Sequence, residues 1–195
     1  MKGQRRMKTT ITRYVSNRML QVAAIIATAV ACSGCLLLND VTPVSINTFE
    51  KLTPKHGRAL VIYGIGIEGR WSFPGLTVAL DEYDARNQSI TGSCWRFNRM
   101  EASITAIVGT RQYFMFDVQP GHYVYSGFNS AQARKTWAFE VPAGRAVYLG
   151  DFVYAEDGTV DLRRDLASAR SYLKEETLLA NVSPVPPPKL FLCAP

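Results

Sequence analysis

The chain has 195 residues, 47% hydrophobic and 19% charged, with 14 Gly and 10 Pro; these proportions fit one folded domain and exclude a disordered chain, a collagen and a polytopic membrane protein. Four cysteines are too few for a small disulfide-dense scaffold. The net charge of +6 comes from the first 34 residues, where Lys2, Arg5, Arg6, Lys8, Arg13 and Arg18 stand without an acid, while the rest carries 16 basic and 16 acidic side chains. With no basic surplus to neutralise phosphates, the remainder is not a nucleic-acid binder.

The basic arm is followed by Met19–Ala31, thirteen residues without a charge, and then by small residues and cysteines. This is the layout of a secretory signal: the cationic start stays on the cytoplasmic side while the apolar stretch inserts. Ala31-Cys32-Ser33-Gly34-Cys35 resembles the lipobox of bacterial lipoproteins, in which a small residue precedes the cysteine that is acylated. Two registers fit, one on Cys35 and one on Cys32. A cleaved soluble protein is a further reading, and so is an uncleaved membrane helix, because Met19–Leu38 is a charge-free run of twenty, long enough to span.

Residues 36–57 have no sustained periodicity and read as a tether, so the fold is expected to begin near Arg58. From there apolar runs of strand length recur: Ala59–Ile67, Leu76–Tyr83, Tyr113–Val118, Tyr123–Phe128, Thr136–Val141 and Ala146–Tyr154. Runs at this spacing favour an antiparallel sandwich or barrel. Ile90–Met100 and Ile104–Val108 fit either strands or a long loop. Pro120-Gly121 and Pro142–Arg145 supply turns between alternating runs, and Glu156-Asp157-Gly158 joins Ala146–Tyr154 to a short run, Thr159–Leu162, so residues 112–155 read as an antiparallel meander.

One helix is expected near the C-terminus, where Leu162, Leu166, Ala169 and Leu173 share a face and Asp165 stands near the start. A single such helix covers one sheet face or an open end. Ser183-Pro-Val-Pro-Pro-Pro188 cannot continue it and should be extended, either as a spacer or as a ligand for a partner's groove. The organisation is therefore residues 1–34 signal peptide, 35–57 tether, 58–178 mainly β domain with one C-terminal helix, and 179–195 Pro-rich tail.

Over residues 112–175, the order Phe116-Asp-Val-Gln-Pro-Gly-His-Tyr123, then Phe139-Glu-Val-Pro-Ala-Gly144, then Val147-Tyr-Leu-Gly-Asp-Phe152 resembles a group of bacterial lipoprotein domains of uncharacterised activity. Those domains carry a Pro-Gly-x-Tyr hairpin, a strand leading into a Gly turn, and a Tyr-Leu-Gly or Tyr-Ile-Gly strand. The resemblance implies an exported β-sandwich, with a transthyretin-like arrangement as one form, and implies no activity.

Candidate chemistry is sparse. Gly64-Ile-Gly66-Ile-Glu-Gly69 has the spacing of a dinucleotide-binding string, but Pro74-Gly75 forbids the long helix that would point at a pyrophosphate, so a bulged or flexible strand end is the preferred reading. His122 invites a hydrolase site with Ser126 or Asp117, against the plainer reading of an exposed turn residue. Asp81, Glu82 and Asp84 cluster but lack the Gly and Glu positions of a Ca²⁺-binding loop, and neither His56 nor His122 has metal-ligand spacing. Tyr123, Tyr125, Tyr148, Phe152 and Tyr154 fall on one alternating phase of two strand candidates; cross-strand packing is the plain reading, a platform for a glycan or a protein the functional one.

Cysteine parity chooses the lipidation register. An oxidising compartment disfavours an unpaired thiol; cleavage before Cys35 removes Cys32 and leaves Cys94 and Cys193 to form one disulfide. Leu36 after Cys35, in place of an acid, resembles lipoproteins forwarded to the outer membrane of a two-membrane envelope. The expectation is thus a non-catalytic binding or structural module. It holds the membrane through an N-terminal lipid, takes an envelope protein or glycan as partner, and uses no cofactor, metal or nucleic acid.

Overall fold

A computed structural model of the protein describes residues 39–45, 52–91, 98–174 and 185–186. All belong to one compact unit, Leu38–Pro195. Cys32, Cys35, Cys94, Cys193 and the apolar run Met19–Leu38 up to its last residue lie outside the described residues. Among the described residues, no helix is long and apolar enough to cross a membrane.

The described residues form ten strands and one helix: β1 (Asn39–Val41), β2 (Ala59–Ile67), β3 (Gly75–Asp84), β4 (Ser89–Ile90), β5 (Asn98–Thr105), β6 (Arg111–Val118), β7 (Gly121–Tyr125), β8 (Ala138–Val141), β9 (Ala146–Tyr154), β10 (Val160–Arg163) and α1 (Leu166–Leu173). Sheet A has the order β1-β5-β3-β7-β8, with β4 also paired to β3, and sheet B the order β10-β9-β2-β6. Most pairings are antiparallel; β1 on β5 and β9 on β2 are parallel. The expected mainly β sandwich with one C-terminal helix is the fold observed.

Alternation explains the two layers. In β6, Phe116 and Val118 join the core between the sheets, with Phe114 packed against it, while Tyr113 and Met115 face the opposite side. The inner core is rich in aromatic rings: Tyr63 stacks on Phe116 at 5.0 Å and meets Phe152 edge-on at 5.6 Å, and Phe152 packs against Tyr125 and Phe139. The Tyr63 hydroxyl donates to the Val78 carbonyl at 3.0 Å, so the polar end of one of the largest fully buried side chains ties one sheet to the other. Strands β2 and β9 are buried at all nine positions, because α1 covers the far side of sheet B. Leu166, Ala169 and Leu173 of the helix pack there with Leu60, Ile62, Met115, Ala146 and Tyr148. Asp165 caps the helix by accepting from the Ser168 N–H at 3.0 Å, and Lys174 ends it in the left-handed conformation.

Three expectations require correction. Residues 112–155 are not a meander. Val118 ends a strand of sheet B and Gly121 begins one of sheet A, and the Pro142–Arg145 turn returns the chain to sheet B, so of these strands only β7 and β8 pair directly. A short turn joins two strands whichever sheets they occupy, and alternation reports which face is buried without naming the neighbour. Leu162, placed on the helix by its spacing, lies in β10 and packs against the inner core. The fold begins before Arg58: β1 pairs with β5, and the Val44 N–H donates to the Met115 carbonyl of β6 at 2.8 Å, so residues 39–45, read as part of a tether, pair with strands of both sheets. The uncertain stretch after Asp84 yields the two-residue β4 and the full strand β5, which overlaps both candidate runs.

In β9 the register against β2 shifts between Ile62, opposite Tyr148, and Tyr63, opposite Gly150. Gly150 sits at φ +129°, and an added Cβ there would lie 2.6 Å from Leu162 Cδ1 and 2.8 Å from the Arg163 carbonyl oxygen. This is a bulge that only glycine fits. We predict that Gly150→Ala lowers stability by about 2–3 kcal/mol, read as a lower urea midpoint. Gly158→Ala, at φ +84° with its nearest atom 3.6 Å away, should cost only about 1 kcal/mol. Equal losses at the two positions would contradict the crowded bulge.

Candidate functional site

The outer face of sheet B is apolar where α1 covers it and polar beyond. There the registers align one row across all four strands: Arg163, Asp151, Gly64 and Tyr113. Gly64 has no side chain, and the Asp151 carboxylate takes the vacant space; a Cβ on Gly64 would stand 2.3 Å from Asp151 Oδ1. Asp151 is fully buried. It accepts from the Tyr148 hydroxyl at 2.5 Å and the Tyr113 hydroxyl at 3.4 Å, and pairs with Arg111 Nη1 at 3.1 Å.

Burial pushes the Asp151 carboxyl up from its usual range, and the Tyr148, Arg111 and Tyr113 donors offset part of that shift. Burial also raises both tyrosines, Tyr148 strongly, with the nearby carboxylate adding to it, so they remain neutral donors. The cluster is an anion hub that holds one charge among three donors. Its only partly exposed member is Arg111, about one-third accessible. Chemically it can hold a proton or a charge and pin β2, β6 and β9 together; a fully covered carboxylate is not offered to a substrate.

The hub explains the glycine string. Gly64 and Gly66 lie within β2, where Gly66 would crowd Val153, and Gly69 lies against the Ala155 carbonyl oxygen at 2.1 Å from an ideal Cβ. Each glycine admits a neighbour at close range, and none opens a helix. The string was read as a bulged or flexible strand end, whereas Gly64 and Gly66 lie inside β2; Asp151 was not singled out, although the Leu149-Gly150-Asp151 step in an otherwise apolar run marks a charge that must be accommodated.

The tyrosine platform is contradicted. Tyr123, Tyr125, Tyr148 and Tyr154 are all buried, and the strands that carry them belong to different sheets. The Gly150 bulge changes the phase of β9, so Tyr148 faces α1 while Phe152 and Tyr154 face the inner core. Tyr123 and Tyr125 donate to the Gln119 and Ala131 carbonyls. His122 is the second residue of β7, opposite Tyr83 and Glu140, with its ring edge-on to Tyr83 at 6.3 Å. The partners considered for it are engaged elsewhere: Asp117 with Arg58 and Lys55, and the Ser126 hydroxyl with the Phe128 N–H. Asp81, Glu82 and Asp84 also diverge, to Arg99, to Asn98 and to the turn amides of Arg86 and Asn87.

One end of the sandwich exposes apolar side chains. Phe73 is 61% exposed, and Ile107 and Val108 are each 60% exposed. Their loops are joined by the Ala106 N–H to the Pro74 carbonyl at 2.9 Å and the Gly109 N–H to the Ile67 carbonyl at 2.7 Å, and Trp71 backs Phe73 with ring centroids 5.3 Å apart. Clustered exposure of this kind marks contact surfaces more often than scattered apolar residues do. Comparison with protein-family models, with curated proteins and with solved structures returns no match to this chain.

The raised Asp151 pKa sets a pH dependence. Its stabilising share is full below the unfolded pKa of about 3.9 and is lost as pH rises through the folded value. Asp151→Asn, which does not titrate, should therefore gain on the wild type as pH rises from about 3.5 to 7, seen in urea unfolding across that range. Asp151→Ala should cost about 2–4 kcal/mol at pH 7, because three donors lose their acceptor. A difference between Asn and wild type that stays constant with pH would contradict the raised carboxyl.

Proposed function

We propose that the chain is a lipid-anchored cell-envelope module of binding or structural type, attached through Cys35 and presenting the Phe73, Ile107 and Val108 end of its sandwich to an envelope protein. The observation that carries this reading is polarity along the strands. Asn39 pairs with Asn98 at one end of β5, and Thr105 at the other end pairs with Gly75, beside the apolar loops. Four residue steps separate Cys35 from Asn39, at most about 14 Å of chain. An acyl group on Cys35 would hold the Asn98 end at the bilayer and raise the apolar end by roughly 25 Å, the length of the eight-residue β5.

The buried Asp151 hub and the engaged partners of His122 support a module that holds a surface in place over one that turns over a substrate. The resemblance to bacterial lipoprotein domains and the basic, apolar N-terminus support export, and an outer-membrane address facing the periplasm follows from Leu36. The Cys94–Cys193 disulfide belongs to the same proposal. Ile90 and Val185 share one apolar cluster, and in the sequence the cysteines follow three residues after Thr91 and seven after Pro186, so the covalent reach of the chain permits the bond. The oxidising compartment takes up the two electrons and two protons.

Mass spectrometry of the protein from native membranes tests both bonds. The expected mature N-terminus is a diacylglyceryl-modified Cys35, and a non-reduced digest should contain a peptide linking Cys94 to Cys193. Cys35→Ser should abolish lipid incorporation. Lipid on Cys32, an intact Met1 start, or free thiols at Cys94 and Cys193 would each overturn the corresponding assignment.

A further inference from the structure

The outer face of sheet A carries a small apolar patch made of Tyr83, Ile90, Val124 and Ala138, and Val185 of the Pro-rich tail packs into it with Ala85 at its margin. Two main-chain contacts seat the tail. The Val185 N–H donates to the Ala138 carbonyl at 3.2 Å, and the Tyr83 hydroxyl donates to the Pro186 carbonyl. Strand β8, which holds Ala138, is the edge of sheet A, so the tail lies where a further chain segment would add.

The tail's sequence suits that seat. In Ser183-Pro184-Val185-Pro186-Pro187-Pro188 four residues have no N–H, and Val185 carries the one amide donor between prolines. That donor reaches the edge carbonyl, its side chain fills the apolar patch, and the following proline presents a carbonyl to the tyrosine. Prolines hold such a segment extended before it binds, so little conformational freedom is lost on docking. Recognition uses two backbone groups and one apolar side chain, none of which depends on the segment being covalently joined to the domain.

We propose that this face is a peptide-binding groove for an extended segment of a partner protein in which an apolar residue is flanked by prolines, and that the chain's own tail is its resident competitor. The site is distinct from the apolar end of the sandwich and does not depend on the lipid anchor. The tail is tethered, which gives it a high effective concentration at the groove, so a partner binds by displacing it and free peptide binds the intact chain weakly.

The probe is a synthetic peptide of residues 181–190, Asn-Val-Ser-Pro-Val-Pro-Pro-Pro-Lys-Leu, added to the full-length protein. In the wild type the Val185 amide should exchange slowly with deuterium, and excess peptide should speed its exchange at least fivefold. Full-length Val185→Asp, whose tail no longer fits the patch, should bind the peptide at least tenfold more tightly than the wild type does. Adding Tyr83→Phe to that variant should weaken binding about fivefold, the effect of one lost hydrogen bond. A peptide carrying Asp in place of Val185 should not bind. The proposal is overturned if the peptide leaves Val185 exchange unchanged in the wild type, or if wild type and Val185→Asp bind it equally. It is also overturned if the tail contact forms only in a concentration-dependent dimer, which would make a second copy the occupant.

Discussion

The fold turns on a substitution of space between two strands: the Asp151 side chain of β9 occupies the position that a side chain of β2 would fill at Gly64. A carboxylate without access to water needs donors, and three are supplied from β6 and β9 by Tyr113, Arg111 and Tyr148. Those contacts require the parallel register of β2 on β9 and the antiparallel register of β2 on β6 to hold simultaneously. The Gly150 bulge makes this possible by advancing β9 one residue, which turns Asp151 outward and Phe152 inward. Helix α1 then covers the apolar half of the same face, and its cap residue Asp165 adds a second negative charge near the hub.

The sides of the sandwich are closed by segments that are not full strands. Residues 39–45 pass from β5 to β6. On the other side the loop after β7 meets β10 through the Val160 N–H to the Gln132 carbonyl and the Arg134 N–H to the Val160 carbonyl. Asn129 in that loop both accepts from and donates to the backbone of Ala79, continuing the pairing of β3 where β7 ends. These closures protect sheet edges from pairing with other chains. The remaining edge at β8 is met by the tail at Val185, whose N–H donates to the Ala138 carbonyl.

The fully buried strands were the most legible part. Ala59–Ile67 and Ala146–Tyr154 have the bounds read from their apolar runs, since a strand covered on both faces is apolar throughout. Partner choice was not legible, because the same alternating run pairs with its sequence neighbour or crosses to the facing sheet, and β6 to β7 crosses. The tyrosine face failed for a different reason: one residue inserted at Gly150 moves every later side chain of β9 to the other face. Leu162 kept helical spacing with Leu166 while belonging to a strand, since a spacing of four occurs in both periods. Strand β1 is three residues long and is stabilised by pairing with β5, which leaves almost no local pattern to read. The hub was not legible, because the glycine string was read as a strand end and a close approach between two strands is set by tertiary pairing.

A double-mutant cycle between Gly64 and Asp151 reads the central contact directly. Gly64→Ala in the wild type places a methyl group against the carboxylate and should lower the unfolding free energy by about 2–3 kcal/mol. With Asp151→Ala already present, the two carboxylate clashes are gone and Tyr113 Cε1 remains at 3.2 Å, so the same substitution should cost less than about 1 kcal/mol. The interlocked arrangement requires a coupling energy of about 1 kcal/mol or more. Additive losses at the two positions, measured by urea unfolding with unchanged m-values, would show that Gly64 and Asp151 do not share that space.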